Sequence, residues 1–244
     1  MRLEISALST LPEIHPGDDL EALIRSAART ESQKIDAATI LAVAQKVVSK
    51  AENAIVDLRK IQPSERARSW AEQWKKDPRV IDLIFSQSKR IVKMERGVVI
   101  AETRHGFVCA NAGVDQSNTG SSDFATILPA DPDASANRLR ESLGCGAVIV
   151  TDTFGRPWRE GLVDVAIGVA GLDALTDYRG TRDRSGRMMT STIVALADQL
   201  AAAAGLLMSK ANGCPVVIVH GFEWRATEGS ARALIRKPEQ DLFR

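Results

Sequence analysis

Two short segments concentrate the residue types that bind phosphate and metal ions. The first, ANAGVDQSN at residues 110–118, is built from small and short polar side chains, among them Asn111, Gly113, Asp115, Ser117 and Asn118. A loop of this kind brings backbone N–H groups close to phosphate oxygens. Asp115 offers a hard oxygen suited to Mg²⁺ or Mn²⁺, and Asn118 carries both a donor and an acceptor. A solvated turn held by Asx hydrogen bonds accounts for the same residues. The second segment, VIVTDTFGRPWR at residues 148–159, is a run of aliphatics that ends in Asp152 and Thr153. Ligands of open α/β sheets gather beyond the carboxyl ends of strands, where a carboxylate followed by a hydroxyl suits metal–phosphate chemistry. Arg156 and Arg159 can pair with phosphate or carboxylate through the guanidinium fork. The plainer alternative is a capping Asp152 beside two surface arginines. Two such segments in one chain point to a two-carboxylate metal site, a recurring solution for phosphoryl transfer.

A third cluster, YRGTRDRSGR, places Arg179, Arg182, Arg184 and Arg187 within nine positions. It suits recognition of an anionic substrate or, equally, a solvated basic loop. His105 and His220 each follow an extended segment and read as hydrogen-bonded structural residues.

The composition bounds the rest. The chain has 244 residues, 44% hydrophobic and 26% charged, with a net charge of +1. That is room for one large domain or two modest ones, and the charge balance argues against a nucleic-acid or membrane surface. Three scattered cysteines (Cys109, Cys145, Cys214) and three histidines make neither a disulfide framework nor a zinc site. MRLEISALST lacks an apolar signal core, and no apolar run is long enough to span a bilayer. The expected location is the cytoplasm.

The elements that must position these residues alternate irregularly. LEISAL reads as a first strand, followed by a helix capped by Asp18 or Asp19 with Leu20, Leu23, Ile24 and Ala27 on one face. ILAVAQKVVSK at residues 40–50 reads as a strand buried on both faces, interrupted by Gln45 and Lys46. Residues 63–87 read as two helices, with Trp70 and Trp74 on one face of the first and Asp77–Pro78 starting the second. GVVIAETR is a strand, and DPDASANRLRESLG is a helix from Asp131 to Gly144. CGAVIVTD is a buried strand ending at Asp152, and VDVAIGVAG is another apolar segment. Residues 190–210 read as a long Ala-rich helix and CPVVIVHG as the last strand. The expectation is an α+β (mixed α/β) chain rather than a regular doubly wound sheet. With no GxGxxG and no GxxxxGK[ST], a nucleotide must be held in some other way.

Taken in order, LPEI, VVSKAE, KDPRVIDLI, ETRHGFVCANAGVDQSN, TDTFGRPWREG, VAIGVAG, RGTRDRSGR and KANGCPVVIVHG resemble the coenzyme F420-0:L-glutamate ligase family, from about residue 11 to residue 221. The resemblance implies a two-domain mixed α/β fold that forms an intertwined homodimer, the whole chain 1–244 being one unit with two subdomains. It implies GTP-dependent joining of L-glutamate to the lactyl carboxylate of F420-0 through an acyl phosphate, with Mg²⁺ or Mn²⁺, assisted by K⁺. Carried over residue by residue, Leu11, Pro12, Glu13 and Ile14 correspond to a GTP-contacting loop. Gln45, Lys50 and Asn118 correspond to further nucleotide contacts, and Asp115, Asp152 and Thr153 to metal ligands. Arg156, Arg179 and Arg182 are candidates for the acceptor's anionic groups. The chain departs from the family in two places. Ala44 and Gln45 stand where the family usually has Thr-Ser, removing a hydroxyl and leaving the Gln45 amide in its place. The MGKADG-like stretch near Lys210 reads MSKANG, with Ser209 and Asn212. No additional reductase-like domain is expected. The alternatives are a paralogous ligase acting on a different acid, or a nucleotide-binding protein without ligase activity.

Overall fold

The computed structural model describes residues 2–208 and 213–241. In chain order the elements are β1 (Glu4–Ala7), α1 (Leu20–Thr30), β2 (Ile40–Ala44), α2 (Gln45–Ala51), β3 (Ile55–Asp57), α3 (Glu65–Trp74), α4 (Pro78–Gln87), β4 (Ser88–Glu95), β5 (Val98–Thr103), β6 (Val108–Ala110) and β7 (Phe124–Thr126). They continue with α5 (Pro132–Leu143), β8 (Ala147–Arg156), β9 (Arg159–Ala170), β10 (Thr176–Asp177), β11 (Ile193–Val194), α6 (Leu196–Gly205) and β12 (Val216–His220). The class is mixed α/β with several sheets, as expected.

The helix boundaries follow their caps. Asp19 accepts from the Ala22 amide to start α1, Ser64 from Ala67 to start α3, Asp77 from Arg79 to start α4, and Asp131 from Ala134 to start α5. Each satisfies an amide that the helix cannot. Trp70 and Trp74 pack at 6.4 Å between ring centroids, as their spacing of four dictates.

The main sheet has strand order β1-β12-β2-β8-β9. Only β2 and β8 are parallel; the other pairs are antiparallel. Parallel neighbours require a crossover, and here the crossover holds a second apolar core. That core contains Leu58, Ala67, Ala71, Ile81, Leu83, Ile84, Val99, Ala101, Ala112, Val114 and Ala125. It is walled by α3, α4, the β4-β5-β6 sheet and the β3-β7 ribbon. The first core lies around the main sheet and includes the fully buried Ile24, Leu41, Val43, Ile149 and Ile218.

Three local expectations are corrected, and one strand is unanticipated. Residues 40–50 are a strand and then a helix: β2 stops at Ala44, and α2 buries Gln45, Val48, Ser49 and Lys50. That is helical spacing, hidden in the sequence because Val47 and Val48 prolong the aliphatic run. The Ala-rich helix begins at Leu196, because Ile193–Val194 is taken by pairing with Thr176–Asp177. It ends at Gly205, and Ser209, Lys210 and Asn212 lie outside the described residues. β8 does not end at Asp152 but continues to Arg156 as one arm of a hairpin with β9. Ser88–Glu95 is a strand that its mostly polar sequence concealed.

Candidate active site

The two chemistry-bearing segments meet where the two cores adjoin. β2 pairs with β8 as far as Ala44 opposite Thr151. Beyond that point β2 turns into α2, and β8 runs on with β9 as its partner, after a register shift between Val150 and Thr151. Asp152 and Thr153 therefore sit just past the end of β2, at the carboxyl-end position where open sheets bind ligands. The Thr153 amide donates to Asp152 Oδ1 at 2.8 Å. Burial pushes the Asp152 carboxyl up to about 7, with the Thr153 amide and the Lys46 ammonium opposing the rise and the charges of Asp115 and Asp164 adding to it. Burial, and then the Asp152 charge, pushes the nearby Cys109 thiol up to about 12, which leaves it a poor nucleophile.

Asp115 reaches the same place from the second core. Three consecutive residues, Asn111, Ala112 and Gly113, have φ of 56°, 52° and 74°, a left-handed turn that costs a non-glycine residue about 1–2 kcal/mol. A Cβ on Gly113 would lie 2.6 Å from Leu128 Cγ, so any side chain here would force Leu128 to shift. The backbone of Asp115 then bonds both ways with Thr126, at 3.0 and 2.8 Å, which fixes the carboxylate's root. Its oxygens accept from the Ser117 amide (2.7 Å) and the Ser117 hydroxyl (2.9 Å) and pair with Lys46 Nζ at 2.7 Å. Burial raises the Asp115 carboxyl, but Lys46 and Ser117 outweigh it and hold it below its ordinary value. Asn118, with φ 58°, stands exposed on the same loop.

A third carboxylate, Asp164 on β9, faces Thr153 across the hairpin and accepts from its hydroxyl at 2.5 Å. The oxygens of Asp115, Asp152, Thr153 and Asp164 are hard donors, of the kind that suits Mg²⁺ or Mn²⁺. Among the described residues no three His, Cys, Asp or Glu side chains form a group able to hold an ion by themselves. Mg²⁺ is ordinarily held by one or two carboxylates together with substrate phosphates and water.

The LPEI stretch and α2 also come together, since Lys50 Nζ pairs with Glu13 Oε1. Lys50 is buried, and Leu11 and Ile14 belong to the first core. Of the LPEI side chains only Pro12 and Glu13 face solvent, so Leu11 and Ile14 have backbone alone to offer a nucleotide. Gln45 is buried, and its Oε1 accepts from Ser49, whose hydroxyl also lies 2.7 Å from the Ile127 carbonyl. A cavity of about 280 Å³, lined in part by Phe107, Phe154, Val165, Asp198 and Ile235, opens along the hairpin beyond Asp152.

Residues 9–221 match the family described as F420-0:gamma-glutamyl ligase. The chain belongs to the F420-0:gamma-glutamyl ligase family. A coenzyme F420:L-glutamate ligase of Methanothermobacter thermautotrophicus is 43% identical over 252 aligned positions that span both chains completely. One of Methanopyrus kandleri is 46% identical over 99% of this chain and 98% of its own. One of Natronomonas pharaonis is 39% identical over 99% and 95%. Membership of this ligase family makes the chain an enzyme.

Within this F420-0:gamma-glutamyl ligase chain, Asp115 and Asp152 are thus brought together, with Thr153 next in β8 and its hydroxyl turned to Asp164, and Glu13 meets Lys50. Arg156, Arg179 and Arg182 are not brought to them. Arg156 donates to the Glu160 and Gly161 carbonyls, Arg179 forms a two-pronged pair with Asp177, and Arg182 donates to the Gly186 carbonyl. Among the described residues none of the three bonds Asp115, Asp152 or Thr153. Lys46 and Asp164 escaped notice as site residues in the sequence. The signal for Lys46 was the polar break in an aliphatic run, which marks the strand-to-helix switch. Asp164 gave none, because its role comes from cross-strand register. Of the cysteines, Cys109 and Cys145 are buried and Cys214 is half-buried. His105 bonds the Pro129 carbonyl, and His220 bonds Thr39 and the Lys34 carbonyl. No helix among the described residues is long and apolar enough to cross a membrane.

Proposed function

We propose that this chain forms an amide between L-glutamate and the lactyl carboxylate of coenzyme F420-0, driven by GTP. An unactivated carboxylate does not condense with an amine in water at a useful rate. Transfer of the GTP γ-phosphoryl group to the acid gives an acyl phosphate with a good leaving group, and the glutamate α-amine displaces phosphate from it. Asp115, Asp152 and Thr153 hold Mg²⁺ or Mn²⁺, which when bound neutralises charge on the phosphate oxygens. Lys46 adds a fixed positive charge beside them. Lys50, Asn118, Gln45 and the LPEI backbone hold the nucleotide, and K⁺ assists. The aromatic-lined cavity beside Phe154 gives the acceptor an apolar surface, with Arg156, Arg179 and Arg182 available to its anionic groups. The two cores act as subdomains of one unit, two chains form a homodimer, and the enzyme works in the cytoplasm.

One observation carries this reading. Asp115 and Asp152 arrive from different cores at one partly buried junction, with Lys46 paired to Asp115 and its charge felt by Asp152. The test is incubation of the purified protein with F420-0, glutamate, GTP and Mn²⁺, read by product mass, with ATP in a parallel arm. A glutamylated product is expected with GTP, and none from Asp115→Asn or Asp152→Asn. Wild-type turnover of either variant at ordinary Mg²⁺ would remove the metal-site assignment.

A second version changes the acceptor. Gln45 replaces a hydroxyl position and is committed to Ser49, an altered nucleotide-side contact that a paralogue working on another acid would tolerate. Turnover of a different acid with F420-0 left untouched would decide for it.

A further inference from the structure

We infer that Asp164 is a positioning residue for the Thr153 hydroxyl at the metal site, and that Gly205 of α6 is there to make room for it. The inference rests on the metal-site assignment proposed above and extends it to two residues outside that ligand set.

Thr153 and Asp164 are directly opposed in the β8–β9 hairpin, so their side chains share one face of the sheet. The Thr153 hydroxyl donates to Asp164 Oδ1 at 2.5 Å. A hydroxyl has one proton and two lone pairs. With the proton committed to Asp164, only lone pairs remain for any other neighbour, which is what a cation requires of a neutral oxygen ligand. The carboxylate also makes that oxygen a better donor by drawing on its proton. Partners of this kind orient ligands, and their loss typically costs about 10–100-fold in metal affinity.

Asp164 is itself held from behind. A Cβ on Gly205 would lie 2.2 Å from Asp164 Oδ2 and 3.0 Å from its Cγ. The Asp164 side chain is short, and one oxygen is engaged by Thr153, so it cannot swing away without breaking that bond. Gly205 is the last residue of α6 and packs directly against the Asp164 side chain of β9. The other end of α6 is fixed to the same strand, because Asp198 Oδ1 accepts from the Ala166 amide at 2.9 Å. Helix α6 thus buttresses the strand that carries Asp164. Asp164 is not assigned as a ligand in its own right, since no three-carboxylate group able to hold an ion forms among the described residues.

The test titrates Mn²⁺ alone into the full-length protein, with bound and free ion separated by electron paramagnetic resonance. Wild type, Asp164→Ala, Asp164→Asn, Gly205→Ala and Asp115→Asn are compared, and far-ultraviolet melts confirm that each is folded. Asp164→Ala is expected to weaken Mn²⁺ binding about 10–100-fold. Asp164→Asn keeps an oxygen that can accept from Thr153 and should lose less than about fivefold, a rescue that bulk destabilisation would not give. Gly205→Ala should weaken binding as Asp164→Ala does, with a lowered melting temperature because the added methyl displaces the Asp164 carboxylate. In turnover assays the defect of Asp164→Ala should shrink as Mn²⁺ is raised. If wild type binds Mn²⁺, Asp115→Asn does not, and Asp164→Ala and Gly205→Ala both bind within twofold of wild type, the role of Asp164 is overturned and the metal site stands. If wild type and Asp115→Asn bind Mn²⁺ equally, the metal site itself falls and this inference with it.

Discussion

Lys46 Nζ lies 2.7 Å from the Asp115 carboxylate and 2.5 Å from the Ser117 hydroxyl. Lys46 stands in the first turn of α2, where β2 has just ended; Asp115 stands on the loop of the second core. The pair therefore ties the two cores together at the point where the chemistry is proposed. Its charge acts on two carboxylates of opposite tendency: Asp115 is held below its ordinary value, and Asp152 is pushed by burial toward its neutral form.

Lys46→Met should show that this contact matters more for turnover than for stability. The Lys46 side chain is 20% exposed and that of Asp115 42%, and pairs this accessible to water stabilise by about 0.5–1 kcal/mol. Turnover should fall about 100-fold, equivalent to about 2.7 kcal/mol of transition-state stabilisation. Steady-state kinetics beside a urea melt separates the two quantities. A loss of activity no larger than the loss of stability predicts would make Lys46 merely structural.

Asp152 should make the metal-free protein less stable as pH rises. Its folded value is raised to about 7 from an ordinary 3.8, chiefly by burial, so the folded state binds a proton that the unfolded state releases. The stabilisation is complete below about pH 4 and is lost as pH climbs through about 7. Asp152→Asn should flatten this slope and be more stable than wild type at pH 8 by on the order of 2 kcal/mol, allowing for screening. Denaturant melts in EDTA from pH 5 to pH 8 would check it. Parallel curves for the two proteins would refute it.

How much of this was open to sequence reading divides by the range of the interaction. Helix starts at Asp19, Asp77 and Asp131 were legible because capping is settled within four residues. Asp115 and Asp152 were legible as a pair through their segments and the family resemblance. The switch from β2 to α2 at Gln45 was not, because the apolar run continues through Val47 and Val48 while the burial period changes. The hairpin continuing past Asp152 was not, because the arm that pairs with it, Arg159 to Asp164, mixes charged and apolar residues and pairs through a register that no local pattern marks. Asp164 became visible only through register, which no local pattern encodes.

Lys50 and Glu13 give a contrast between binding and folding. Lys50→Ala should raise KM for GTP about tenfold and leave kcat nearly unchanged, as loss of uniform binding does. The Lys50 side chain is 8% exposed while that of Glu13 is 65% exposed. Glu13→Ala leaves the buried ammonium without its acid and should cost about 1–2 kcal/mol of stability. An unchanged KM for GTP in Lys50→Ala would argue against nucleotide contact by this residue.

Gly113→Ala tests whether the left-handed turn is required to deliver Asp115. Gly120 is the natural control, since its φ of 76° resembles Gly113's 74° but a Cβ there meets nothing within 4 Å. Gly120→Ala should lose only the backbone cost of about 1–2 kcal/mol. Gly113→Ala adds the clash with Leu128, about 1–3 kcal/mol more, and should lower Mn²⁺ affinity as the Asp115 root shifts. Equal melting temperatures for the two variants would mean that the loop relaxes around the methyl group.

The hairpin and the arm beyond it should form the contact between two chains. β9 is an edge strand among the described residues whose first third, at residues 159–162, is exposed, and exposed edges are ordinarily protected or paired. Trp158 at the hairpin turn is 81% exposed and Leu162 60%. Tyr178, Met188 and Ile193 on the arm joined by β10 and β11 are each more than 40% exposed. A two-stranded ribbon of this kind is only marginally stable alone, so a second copy covering it accounts for its apolar side chains. Sedimentation at micromolar concentration should give twice the chain mass of 26.4 kDa. Trp158→Asp combined with Leu162→Asp should shift the protein toward monomer and lower the melting temperature at dilute concentration more than at high concentration. A wild-type monomer at those concentrations, or a double variant that sediments unchanged, would rule the hairpin out as the dimer contact.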